Sequence, residues 1–145
     1  FLEASIPSLF QNDVLTAGYV ASTPAASNPA TAAAWDAYWA TTINPNPVAR
    51  PVATKTCVDR ACTLPTDAAG NTVSYTIQRL CQTAGDPIYT TNGCASGSQQ
   101  STLVGGSLAA GSVALITITQ YYYRITTRTV GPRNTVSYVQ TIVAR

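Results

Sequence analysis

The 145-residue chain has no histidine and no methionine, and lysine occurs once, at Lys55. Without histidine there is no Ser-His-Asp or Cys-His relay, no imidazole proton shuttle and no imidazole metal ligand. Charged residues reach only 10%, where an average domain has about a quarter. Eight basic and six acidic side chains leave a formal charge of +2. That balance is too small and too scattered for an electrostatic grip on nucleic acid or on an acidic membrane. Apolar runs extend only a few residues, far short of the roughly 20 that span a bilayer. Lacking methionine, Phe1 reads as the start of a processed or trimmed chain, with any signal or anchor ahead of it already removed. There is no phosphate-cradling loop of the GxxxxGKS type, and Gly105-Gly106 has no following lysine on a helix. Of the six carboxylates only Asp59 and Asp67 lie near one another, both beside turn residues, which is a poor start for acid–base chemistry. Asp36 suits a helix start, and Asp67 and Asp86 suit turns. The chain therefore reads as non-enzymatic, without cofactor or metal.

What is present points outward from the cytosol. Threonine and alanine occur 22 times each, so Thr, Ser, Asn and Gln replace Lys and Glu as the surface polars, which suits an exported protein. The length fits one domain able to bury about 70% of its unfolded surface. Cys57, Cys62, Cys81 and Cys94 allow three pairings. Their spacing is not that of two CxxC zinc knuckles, and no histidine completes a mixed site. Local pairing, Cys57 with Cys62 and Cys81 with Cys94, is the preferred framework, with free buried thiols as the alternative. Such bridges imply a periplasmic or extracellular address.

Along the chain, residues 1–44 read as a helical and small-residue region, 45–71 as a loop with the first cysteine pair, and 72–145 as an antiparallel sheet with a long 82–112 loop. Phe1, Leu2, Ile6, Leu9, Phe10, Val14 and Leu15 recur as on a short amphipathic helix interrupted by Pro7. Ala32 to Ala40 is a second helix with Thr31 as its N-cap. Trp35 and Trp39 share one face of it, either as an anchor onto the domain or as a stacking platform for sugars. INPNPVARP, residues 43–51, is extended, and Asp67 to Asn71 is a turn. In the strand 72–81, Val73, Tyr75 and Ile77 form the packed face and Ser74, Thr76 and Gln78 the wet one. Residues 82–112 hold six of the nine glycines. Residues 113–130 and 135–144 are strands joined by Gly131-Pro-Arg-Asn134 into a hairpin, with Arg124 and Arg128 on a solvated face. The Tyr121-Tyr-Tyr123 run is structural, its rings alternating between the two faces. The class is α+β.

The last 24 residues carry a resemblance. Tyr123-Arg124-Ile-Thr126, Gly131-Pro132-Arg133-Asn-Thr135 and Ser137-Tyr138-Val-Gln140 resemble the C-terminal hairpin of PilX-type minor pilins of bacterial type IV pili. Tyr75-Thr-Ile-Gln-Arg-Leu-Cys81, leading through a Gly-containing loop to Cys94, is similar to that family's central strand. These segments cover about a quarter of the chain. The resemblance implies an N-terminal helix packed on an antiparallel sheet of three to four strands ending in a C-terminal hairpin. It further implies a role in pilus assembly or priming through other pilin and minor pilin subunits, with a pilus-tip adhesin as a further partner. On that view the subunit is anchored in the inner membrane, then incorporated in an extracellular fibre. The family's hydrophobic helix is missing, so contact with a membrane would run only through that helix, trimmed or supplied as a separate chain. A secreted adhesin using Trp35, Trp39 and the tyrosines is the alternative. A pseudopilin of type II secretion is a third, though the 82–112 loop offers only Asp86 for the calcium such proteins often carry.

Overall fold

The computed structural model describes residues 11–23, 29–100 and 117–145. Among these residues the chain forms seven strands and one short helix. The strands are β1 (Tyr19–Val20), β2 (Thr56–Val58), β3 (Ala61–Thr63), β4 (Thr72–Arg79), β5 (Ser96–Gln100), β6 (Thr117–Val130) and β7 (Val136–Ala144). The helix α1 (Ala32–Tyr38) runs on into a π turn, Trp39–Ile43. The expected α+β arrangement, an N-terminal helix on a three- to four-stranded sheet, is thus corrected to a mainly antiparallel β fold. Of the N-terminal helix read over Phe1–Val20, residues 1–10 lie outside the described residues. The rest is a single 3-10 turn, Leu15–Ala17, closed by Gly18 in the left-handed region, then β1. β1 pairs parallel to β4, Tyr19 opposite Ile77.

β6 is the organising strand because it is the longest. Its C-terminal part pairs antiparallel with all of β4, from Thr72↔Val130 to Arg79↔Tyr123. β4 is only eight residues long, so the first part of β6 retains a free edge, and β5 fills it, Ser96 opposite Tyr121. The other edge of β6 pairs with β7 from Tyr122↔Ala144 to Val130↔Val136. Gly131 permits the hairpin turn, since a Cβ there would sit 2.5 Å from Thr135 Oγ1. Two regions read as loop contain strands. The 45–71 region holds the β2–β3 hairpin, where Asp59 takes φ 54 in the two-residue turn, a conformation Asp tolerates. The 82–112 region holds β5, and residues 101–112 of it lie outside the described residues, as do residues 113–116 of the strand read over 113–130.

The sheet is covered on both faces. On one, Tyr19, Ala21, Ile77 and Tyr123 form a buried cluster with Val14, Ala17, Tyr75, Tyr121 and Ile125 against it. The other lies under α1, and it is the face expected to be wet. Ser74, Thr76 and Gln78 are buried there, Gln78 to 1% exposure. Burial of polar side chains is tolerated because they bond to one another and to the helix. Thr63 and Ser74 hydroxyls lie 2.9 Å apart, and Gln78 Nε2 donates to the Tyr38 hydroxyl at 3.1 Å. α1 forms where Thr31 caps it, Oγ1 accepting from Ala34 N–H at 3.2 Å. The π turn that continues it ends where Asn44 N–H reaches Trp39 O at 2.8 Å, just ahead of Pro45.

Candidate functional site

The helix face of the sheet carries a dense aromatic and cationic layer. Four-residue spacing from α1 into the π turn sets Trp35 and Trp39 the same way, and both are buried, at 7% and 3% exposure. Tyr138 of β7 packs between them, ring centroids 6.3 Å from Trp35 and 6.0 Å from Trp39. Trp35 also meets Tyr38 edge-on at 5.5 Å. Arg124, read from sequence as a solvated sheet charge, is buried. Its guanidinium lies 5.0 Å from the Trp35 ring centroid and donates to Gln78 Oε1 at 2.8 Å. Burial pulls this guanidinium below the ordinary arginine value.

At the rim the Tyr138 hydroxyl donates to Asp36 Oδ1 at 2.6 Å and accepts from Arg128 Nε at 3.0 Å. Arg128 Nε is 3.9 Å from the same carboxylate oxygen. Burial first, and the Asp36 hydrogen bond second, push the Tyr138 phenol up to about 12. The layer is an anchor that pins α1 to the sheet. Buried tryptophan rings cannot present a stacking surface to a sugar, so the platform reading of Trp35 and Trp39 is not supported.

The motif residues do not converge on one site. Tyr123 lies on the opposite face, its ring 6.4 Å from that of Tyr19, and burial raises its phenol above the ordinary value. Arg124 and Tyr138 join the helix-face layer. Gly131 is buried in the turn, Pro132 packs beside Gly70, and Arg133 and Ser137 are exposed. Gln140 Nε2 donates to Thr126 Oγ1 at 3.0 Å. These residues hold the hairpin rather than build a pocket.

The cysteines bond as the preferred framework has them, Cys57–Cys62 across directly paired positions of β2 and β3, and Cys81–Cys94 at the mouth of a loop. Two disulfides are compatible with an oxidising, extracytoplasmic location. The Cys81–Cys94 bridge closes a compact loop that is tied internally. Gln82 N–H donates to Asn92 O, Asn92 Nδ2 to Asp86 O at 2.6 Å, and Ile88 N–H to Asp86 Oδ1 at 3.0 Å. Buried Arg79 reaches beneath it, Nη2 donating to Gly85 O at 2.6 Å. At the tip stand two large apolar side chains in solvent, Ile88 at 74% exposure and Tyr89 at 65%. Sequence reading located the loop and missed these two residues. Their only signal was an Ile-Tyr pair in an otherwise small and polar segment.

A cleft of about 400 Å³ lies beside the helix face, with Thr63, Thr72 and Ser74 on its floor and Arg50 and Arg128 among its walls. Asn44, also in its lining, is buried with no hydrogen-bond partner for Oδ1. Among the described residues no three His, Cys, Asp or Glu side chains gather, and no helix is long and apolar enough to cross a membrane. Compared with known protein families, with curated proteins and with solved structures, the chain matches none. The likeness to PilX-type minor pilins therefore rests on its own residues.

Proposed function

We propose that this chain is a non-enzymatic, minor pilin-like subunit of a type IV pilus that acts in assembly or priming through protein–protein contacts. The observation that carries the reading is the Cys81–Cys94 loop, which holds Ile88 and Tyr89 in solvent on a tied scaffold. A pre-ordered apolar tip binds a partner without the cost of ordering a flexible loop. Aromatic side chains of this kind are enriched among residues that dominate interface energy. The two disulfides and the motifs of the 122–145 hairpin and the 75–81 strand support the same reading. An adhesin acting through Trp35 and Trp39 has lost its contacts to burial. A calcium-loop pseudopilin is disfavoured because the 82–112 loop carries one carboxylate, Asp86, where calcium takes about six to eight oxygen ligands, several of them usually carboxylate.

Binding of the disulfide-intact protein to the globular domains of pilins and minor pilins tests the proposal. A specific partner is expected, with Ile88→Asp plus Tyr89→Asp weakening it by about tenfold or more at unchanged thermal stability. Failure to bind any pilus subunit would sink the assembly role.

A further inference from the structure

β7 leaves one edge of the sheet open, and the hydrogen-bond register fixes which groups face it. Tyr121 and Arg145 exchange both main-chain bonds, at 2.7 and 2.9 Å, and Gly131 N–H donates to Thr135 O at 2.9 Å. Bonded and non-bonded pairs alternate along an antiparallel ladder. The odd-numbered residues of β7 therefore point their main-chain groups at β6. Val136, Tyr138, Gln140, Ile142 and Ala144 point theirs away, five N–H donors and five C=O acceptors on the outer side. Among the described residues no strand pairs with that side.

Natural sheets shield such an edge with charge, proline, a bulge or a very short strand. β7 has none of these. It runs nine residues in unbroken register, contains no charged residue and no proline, and exposes Val139 and Ile142 at 62% and 64%. β2, at the far side of the sheet, is by contrast only three residues long and follows Lys55.

We propose that this edge is a self-association seam, on which a second copy of the chain pairs antiparallel through β7, centred on Gln140. That register matches all nine residues and forms ten main-chain hydrogen bonds from the five outward residues of each copy. Its side-chain pairs are self-complementary. Tyr138 lies opposite Ile142 of the second copy and Val136 opposite Ala144, apolar against apolar on the helix face. On the other face Val139 meets Thr141 and Val143 meets Ser137, aliphatic against small hydroxyl. Pairs of this kind are the unit of sheet stabilisation. No like charges meet within the seam. Arg133 and Arg145 of opposite copies approach only at its two ends, so the association strengthens as salt screens them. The inference rests on the backbone edge alone and does not depend on the pilus reading.

Sedimentation or light scattering of the disulfide-intact protein, from micromolar to about 0.5 mM, tests it. The expected result is a concentration-dependent dimer that strengthens between low and moderate salt. Gln140→Pro removes an outward donor and spares every main-chain β6–β7 bond, losing only the side-chain bond to Thr126, so it should remain folded and associate about tenfold more weakly or less. Ile142→Lys, which places a charge at the seam, should do the same. Gln140→Cys, opposite itself, should cross-link under mild oxidation much faster than Ser137→Cys, which is not. A monomer throughout the range would overturn the proposal, even if a strand from another protein bound the edge. A dimer unaffected by Gln140→Pro in a protein of normal melting temperature, or equal cross-linking by the two cysteine variants, would overturn it as well.

Discussion

Replacing Trp39 by alanine should cost more stability than any other single truncation on the helix face. The indole is 3% exposed, and its cluster joins α1 to the sheet through Ile43, Ala61, Tyr38 and Tyr138. Truncating a buried tryptophan removes its transfer free energy and leaves a cavity, together about 3–5 kcal/mol. A domain of this size has only about 5–15 kcal/mol in all, so the loss corresponds to a fall of roughly 10–20 °C in melting temperature. Trp39→Phe retains an aromatic edge toward Tyr138 and should lose about half as much. Calorimetry is the suitable assay, because it does not depend on the fluorescence that the substitution removes. Far-UV circular dichroism would separate loss of α1 from loss of the sheet. A Trp39→Ala protein melting within about 2 °C of the parent would refute the anchor. The tryptophans would then have to be accessible, and the sugar-platform reading would return.

Three further outcomes follow from the geometry. Tyr138 is held neutral in the fold with its phenol raised to about 12, against an ordinary value near 10. Its contribution is therefore complete below pH about 10 and is lost as pH climbs through about 12, so Tyr138→Phe should flatten that part of the stability profile. Buried Tyr19 and Tyr123 shift in the same direction, so some alkaline slope should survive, and an unaltered slope in Tyr138→Phe would contradict the assignment. Cys81→Ser plus Cys94→Ser opens a loop of about 14 residues and should lower stability by about 3 kcal/mol, with new proteolytic cleavage near Tyr89; resistance to cleavage would show that the hydrogen bonds alone order the tip. Gly18→Ala forces a left-handed φ of 67° on alanine and sets its Cβ 3.2 Å from Cys62 Sγ and 3.3 Å from Tyr75 O. The expected loss is about 1–3 kcal/mol, and an unchanged denaturation midpoint would count against the close packing of this turn.

Periodicity made the long elements legible. Alternation marked β4, β6 and β7, the Gly131–Asn134 turn joined the last two, and Thr31 marked the start of α1. The short elements carry little signal of their own. β1 is two residues that form a strand only because β4 offers an edge. β5 reads Ser-Gly-Ser-Gln-Gln, a poor strand former, and exists because β6 outruns β4. β2 and β3 were legible in principle, since Cys57 and Cys62 lie opposite each other across Asp59-Arg60, but a three-residue strand shows no period. The pairing of Cys57 with Cys62 and of Cys81 with Cys94 was the preferred one of three that the spacing left open, whereas the exposed tip at Ile88 and Tyr89 was not legible.

The misplaced wet face and the open edge of β7 have one physical origin. In an ordinary antiparallel sheet, lysine and glutamate mark which face meets water, and they also guard the outermost strand. This chain has 10% charged residues and a single lysine, so threonine, serine and glutamine occupy those positions instead. Such side chains tolerate water or burial, provided their hydrogen bonds are met. Ser74, Thr76 and Gln78 thus look solvent-facing in sequence yet are buried, and Gln78 links Tyr38 of α1 to Arg124. On β7 the same substitution leaves Ser137, Gln140 and Thr141 where charges would repel another strand. A Thr141→Lys variant restores such a guard on the face away from α1. It should leave the melting temperature nearly unchanged while making the protein more soluble at high concentration. Equal solubility of the two proteins would mean that the edge is already protected by something other than charge.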